Sequence, residues 1–157
     1  MRTRDVRSSI YLAAGIGLVV ALFAATEFFD AALQNVCTVN SYVSCGRVAQ
    51  SGLTTTLGLP DYLWGILGFV AILLLAGVSE RRPADPRLSY ALLALTSAGV
   101  GLSLYFLYVE LAEIHALCLV CVSDYFLGGV AWIGAIALAR RVPEEDPEDD
   151  PGEEPEP

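Results

Sequence analysis

The stretch IHALCLVCVSDYFLGGVAWIG, Ile114 to Gly134, sets two cysteines three residues apart at the head of a run too apolar for an ordinary soluble helix. From Leu117 to Leu138 that run is long enough to cross the ~30 Å hydrocarbon core of a bilayer. Three further segments of comparable length and apolarity precede it, at about residues 10–26, 62–78 and 88–109. With 55% hydrophobic and 17% charged residues in a chain of 157, the sequence predicts an all-α membrane protein, a four-transmembrane-helix bundle rather than a soluble core. The basic stretch MRTRDVRSS before the first span would suit a secretory leader, but the apolar run is long and no small-x-small cleavage site follows, so the span is expected to be retained.

Arginine placement predicts the orientation. Arg2, Arg4 and Arg7 precede the first span, Arg81, Arg82 and Arg87 lie between the second and third, and Arg140 and Arg141 follow the fourth, whereas the other side carries only Arg47. By the positive-inside rule both termini are cytoplasmic, and the loops Glu27–Pro60 and Glu110–Ala116 face outward. The long first loop is the kind that carries function. Within it, SCGRVAQSG suits a short surface helix capped by Ser44.

The formal charge of −9 is a property of the end of the chain. The segment 143–157, PEEDPEDDPGEEPEP, holds nine acids and no base, and nine arginines balance the nine acids elsewhere. That tail has nothing apolar to bury and is predicted to be disordered. No basic patch suits nucleic acid.

All four cysteines fall on the predicted outer side, Cys37 and Cys45 in the long loop and Cys118 and Cys121 at the opening of the last span. Outside a plasma membrane disulfides persist, so this distribution points to disulfide chemistry. Permanent loop staples and a four-thiolate metal site are the competing readings; a single histidine, His115, and the lack of a second Cys-x-x-Cys weaken the metal one, and no metal is expected. Cys-x-x-Cys closes too short a loop to stabilise much, and a helix N-terminus favours the reactive thiolate, so the pair suits redox exchange. A solvent-facing pair that accepts electrons from a protein dithiol, and a membrane-level pair that passes them to a lipid-soluble quinone, would make a relay.

At this point the residues resemble the vitamin K epoxide reductase family and its prokaryotic disulfide-forming members. The resemblance is carried by CTVNSYVSCGRVAQS, with the cysteines eight apart and Ser51 six beyond the second, by LPDYLWG at the second span, and by CLVCVSDY at the fourth. It implies a quinone, menaquinone or ubiquinone, held near the outer surface as electron acceptor. Cys37 and Cys45 would be the shuttle pair, Cys118 would form a transient cross-link with Cys45, and Cys121 would react with the quinone. Tyr125, on the helix face of both cysteines, would donate to a quinone carbonyl, and Asp61 and Ser51 are the further quinone-binding candidates. Asp61 has a helix-capping alternative, and Ser51 that of orienting the loop. The resemblance also implies a thioredoxin-like or DsbA-like electron donor, expected here as a separate protein, and the plasma membrane of a prokaryote. A thiol-driven quinone or vitamin K epoxide reductase is the alternative within the family; a disulfide-stapled scaffold without catalysis is the alternative outside it.

The remaining polar residues have plainer expectations. Asp124 would either relay a proton or be solvated near the surface, His115 either support the Cys118 thiolate or sit exposed, and Arg47 either meet a partner or remain a solvated charge. Trp64 and Trp132 are expected to anchor or fill the bundle, and Phe28 and Phe29 to sit at the membrane interface.

Overall fold

A computed structural model describes residues 3–34, 36–82 and 85–141; the acidic tail lies outside them. Helix α1 runs Thr3–Phe29, α4 Asp61–Arg81, α5 Pro86–Tyr108 and α6 Leu119–Ala139, and these four form an up-and-down bundle. α1 packs most extensively against α6 and α4, and α5 against α6. All four are long and apolar enough to span a bilayer, with only 17–28% of their most apolar windows buried inside the protein. Leu12, Val19, Leu74, Leu104, Phe126 and Ile133 face outward, as a hydrocarbon solvent requires.

α1 begins seven residues before the apolar stretch, because Arg4 and Arg7 continue a helix as readily as leucine does. Hydropathy detects only the part of a helix that is apolar. Asp85 caps α5 by accepting from the Arg87 N–H at 3.0 Å, ahead of Pro86 at the first helical position.

Below the cavity described next, the bundle closes tightly. Val6, Ile10, Ala14, Ile72, Ala76, Leu92, Ala135 and Leu138 form a continuous buried cluster. Ile10 rests on Gly134, where an added Cβ would lie 2.6 Å from Ile10 Cγ1. The Phe69 ring likewise occupies the space above Gly17 that a side chain would fill. Glycine at these two points lets a bulky side chain from one helix reach the backbone of another.

The connection between α1 and α4 has more structure than its composition suggests. It contains α2 (Ala31–Gln34), α3 (Cys45–Gln50), and a two-stranded hairpin of β1 (Thr55–Thr56) and β2 (Leu59–Pro60). Ser44 caps α3 as the sequence predicts, accepting from the Arg47 N–H at 3.3 Å. The hairpin turns on Leu57 and Gly58, both with positive φ (55° and 79°), the two-residue geometry that matches strand twist.

The second outward loop requires a correction. Residues 110–116 are not simply a solvated connection: Val109–Ile114 continue α5 as a π-helical turn, with Val109, Glu110 and Ile114 buried. His115 ends it in the left-handed conformation (φ 54°), and the Ala116 N–H returns to the Glu110 carbonyl at 3.0 Å. Two acids in a short connection read as solvent-facing, but one of them points inward.

Candidate functional site

The long loop is tied to the start of α6 by backbone bonds. Val43 and Leu117 form a parallel bridge, in which the Leu117 N–H donates to the Tyr42 carbonyl at 2.8 Å and the Ser44 N–H donates to the Leu117 carbonyl at 3.0 Å. Arg47 adds a clamp, donating to Ser41 O and, at 3.2 Å, to the Ile114 carbonyl. It is an exposed charge that also cross-links loop and bundle. Cys45 follows the bridge by two residues and Cys118 by one, so the backbone pairing alone brings their side chains together.

Cys37 and Cys45 are joined by a disulfide, with Cα atoms 5.8 Å apart. Cys118 and Cys121 are free thiols. Cys118 Sγ lies 3.4 Å from Cys45 Sγ and 2.7 Å from Cys121 Sγ, which makes an unbroken file of sulfur atoms. Cys118 is itself the N-cap of α6, its sulfur accepting from the Cys121 N–H at 3.3 Å. This is the helix-terminal arrangement that stabilises negative charge on sulfur. Val48, Val109, Ile114 and Ala116 close an apolar shell around Cys45 and Cys118.

The file ends at a cavity of about 710 Å³, counted to its open mouth, between α1, α4, α5 and α6. Its walls include Trp64, Gly65, Phe69, Val100, Phe106 and Gly128, with Cys121, Asp61, Asp124 and Tyr125 among the few polar groups. Apolar walls with a few convergent polar atoms are the plan of ordinary small-molecule sites.

The expected site residues divide here. Asp61 lines the cavity, its Oδ2 3.8 Å from Cys121 Sγ, while its Oδ1 accepts from the Tyr62 N–H at 2.8 Å. It thus works at the helix start and at the site together. Tyr125 lines the cavity as well. Ser51 does not: its hydroxyl donates to the Val48 carbonyl at 2.8 Å and accepts from the Leu53 N–H at 3.2 Å, closing the end of α3. The loop-orienting role is the one its bonds show. Asp124 faces the cavity rather than solvent, its Oδ1 buried with no hydrogen-bond partner among the described residues. His115 is exposed, its ring 3.3 Å from the Glu113 carbonyl. Trp64 donates to the Thr56 carbonyl at 3.2 Å and Trp132 to Ser97 Oγ at 2.9 Å, while Phe28 stacks on Tyr62 with centroids 5.1 Å apart.

Glu110 is the residue that sequence reasoning missed. It is fully buried, accepting from the Cys118 N–H at 2.9 Å through one carboxylate oxygen and from the Tyr125 hydroxyl at 2.7 Å through the other. The signal was available in outline, since an acid at the end of an apolar span is costly unless it is paired inside the protein. The π-helical turn hid its direction.

A disulfide, a dithiol and a cavity in sequence, at one end of four membrane-length helices, are the parts of a membrane thiol–disulfide oxidoreductase. Residues 9–136 match the vitamin K epoxide reductase family, and the chain belongs to it. Members of that family use quinones, and the apolar walls of the cavity beside Cys121, with few polar groups, are of a kind that would receive such a ring.

Proposed function

We propose that the protein forms disulfides outside the plasma membrane of a prokaryote, taking electrons from a separate thioredoxin-like or DsbA-like protein and passing them to menaquinone or ubiquinone. The observation that carries the reading is the file of sulfur atoms, with gaps of 3.4 Å and 2.7 Å, from the loop disulfide to a cavity lined by Cys121. A non-catalytic staple would have no reason to point a free thiol into an apolar cavity.

Each protein step is thiol–disulfide exchange. The partner's dithiol attacks the Cys37–Cys45 disulfide, leaves oxidised, and hands two electrons to the loop pair. Cys45, as thiolate, then attacks Cys118 of an oxidised Cys118–Cys121 pair; the Cys45–Cys118 bond forms as Cys121 is released. Cys37 attacks Cys45, re-forming the loop disulfide and freeing Cys118. The resulting Cys118 and Cys121 thiols are the reductant facing the cavity, where a bound quinone supplies a sink for two electrons and two protons. Asp61, in its protonated form, and Tyr125, with its hydroxyl hydrogen turned away from Glu110, would orient the ring by donating to its oxygens, and Trp64, Phe69 and Phe106 would exclude water. The eight-to-one distribution of arginines supports an orientation with the cysteines outside and the termini inside.

Anaerobic loss of quinone absorbance, with a reduced thioredoxin-like protein as donor, tests the reading. Wild type is expected to reduce the quinone and Cys121→Ser to show only background; equal background rates from two folded proteins would sink it.

A further inference from the structure

We propose that Asp124, as a carboxylic acid, is the inner hydrogen-bond donor of the cavity, holding the quinone oxygen that lies farther from Cys121 and so fixing how the ring stands against the thiol. The inference rests on the quinone-reducing reading above and deepens it. Three observations carry it. Asp124 lines the cavity, and its Oδ1 is buried with no hydrogen-bond partner among the described residues. Asp61, Cys121 and Tyr125 gather at the outer end: Asp61 Oδ2 stands 3.8 Å from Cys121 Sγ, and the Tyr125 hydroxyl meets the Glu110 carboxyl that also holds the Cys118 N–H. Asp124 stands deeper, beside Gly65, its Oδ2 3.5 Å from where a Cβ on that glycine would be.

The helices set the depth. α4 and α6 both begin at the site end, where Asp61 meets Cys121. Gly65, four residues beyond Asp61, and Asp124, three beyond Cys121, then come level with each other ~5 Å further in. A 1,4-quinone carries its two oxygens on opposite sides of a six-membered ring, a span of the same order. An oxygen held by Asp61 or Tyr125 at the outer end therefore leaves its counterpart directed inward, towards Asp124. A quinone oxygen only accepts, so a carboxylate has nothing to offer it, whereas a carboxylic acid has an O–H to give. The neutral form also suits the place, because an ionised oxygen without a partner among apolar walls is far costlier than a neutral one. Two hydroxyls of the wall compete for the part. Thr96 is committed to the Leu92 and Leu93 carbonyls at 2.9 Å and 3.1 Å. Ser103, on α5, is the other. A helical serine can settle on a carbonyl of the preceding turn, whereas the Asp124 oxygen has no such partner. Glycine at position 65 keeps the approach to the carboxyl group open, since a Cβ there would also lie 3.2 Å from the Ala21 Cβ.

Quenching of tryptophan fluorescence by a short-tailed menaquinone analogue, read through Trp64 in the cavity wall, measures binding without turnover. Asp124→Leu is expected to weaken the Kd about tenfold, the loss of one shielded hydrogen bond. Asp124→Asn, which keeps a donor, is expected to stay within about threefold of wild type, and so is Ser103→Ala. Infrared difference spectra of the bound analogue add a signature that a structural role would not move: in Asp124→Leu, and not in Asp124→Asn, one quinone carbonyl band returns to its unbonded frequency. Quinone-free Asp124→Leu is expected to melt no lower than wild type, because it removes an unpaired polar group from apolar surroundings. Wild-type affinity or wild-type carbonyl bands in Asp124→Leu would overturn the inference. A loss of fold in that variant would overturn it too, by marking a carboxyl group held for structure, as would a tenfold loss of affinity confined to Ser103→Ala. Failure of wild type to bind the analogue would instead overturn the quinone-reducing reading, and the inference with it.

Discussion

At the end of the bundle where the chain begins, Val6, Ile10, Ala135 and Leu138 interlock without a polar atom among their side chains, and Ile10 lies directly on the backbone of Gly134. At the other end Glu110, Cys118 and Tyr125 are joined by hydrogen bonds, Asp124 holds a buried oxygen without a partner among the described residues, and the helices stand apart around a cavity. The first region is held by close packing, which is dense and indifferent to chemistry. The second gives up packing for polar groups at defined distances, a costly arrangement in an apolar surrounding that a ligand or a reaction must justify. The closed end therefore serves as the rigid support on which the open end keeps sulfur atoms within 3.4 Å of one another.

Substitutions at the open end should abolish chemistry and leave the bundle standing. Cys121→Ser is expected to lower quinone reduction to the uncatalysed rate with an unchanged melting temperature. Because Cys118 then lacks its own partner, a Cys45–Cys118 mixed disulfide should accumulate, visible by non-reducing peptide mapping. A protein that lost both activity and fold would mean that the two ends are not independent.

Arg47→Ala sharpens the same contrast within the loop. It removes charged hydrogen bonds to Ser41 O and Ile114 O. Bonds of that kind are worth about 1.5–3 kcal/mol when well shielded, and the arginine here is exposed, so roughly 1 kcal/mol is expected, or about fivefold slower exchange between the cysteine pairs. Stopped-flow exchange with a reduced donor would show it, while oxidation of Cys118 and Cys121 by added quinone stays within about twofold.

At the closed end the signature reverses. Gly134→Ala drives a methyl group against Ile10 and should cost about 1–3 kcal/mol by thermal unfolding in detergent, with the KM for quinone unaltered. Gly17→Ala is the informative intermediate. The displaced Phe69 ring forms part of the cavity wall, so stability and quinone KM should both suffer. Tyr11→Phe, which deletes an exposed bond to Glu80 of 3.0 Å, should change stability by no more than about 0.5 kcal/mol and activity not at all.

How much of this was legible beforehand follows from the range of each interaction. Bilayer-crossing helices are read from composition over twenty residues, because every one of those residues reports on the same solvent. The Ser44 cap is a local bond across three positions, and it too was legible. The hairpin around Leu57 and Gly58 was missed, since its strands are two residues long and carry no alternation. Ser51 reads equally as a quinone-binding or a loop-orienting hydroxyl in the sequence, and only its bonds to Val48 and Leu53 show the local contacts it makes. Whether Asp124 meets solvent or the bundle interior depends on what the facing helices place beside it, which the sequence does not show.

The sequence by itself determined the four membrane-length helices, the family, the two cysteine pairs and the side of the bundle on which they gather, because these depend on residue type, spacing and transfer energy. The family resemblance already implied that Cys45 meets Cys118; only the tertiary structure decided how the backbone brings them together, that the file of sulfur atoms ends at a cavity, and that Glu110 stands between Cys118 and Tyr125. Those facts depend on a backbone bridge at Val43 and Leu117, seventy-four positions apart, and on a π-helical turn that redirects one side chain. No local pattern encodes either one, since each is settled by which surfaces the whole chain finds it best to bury.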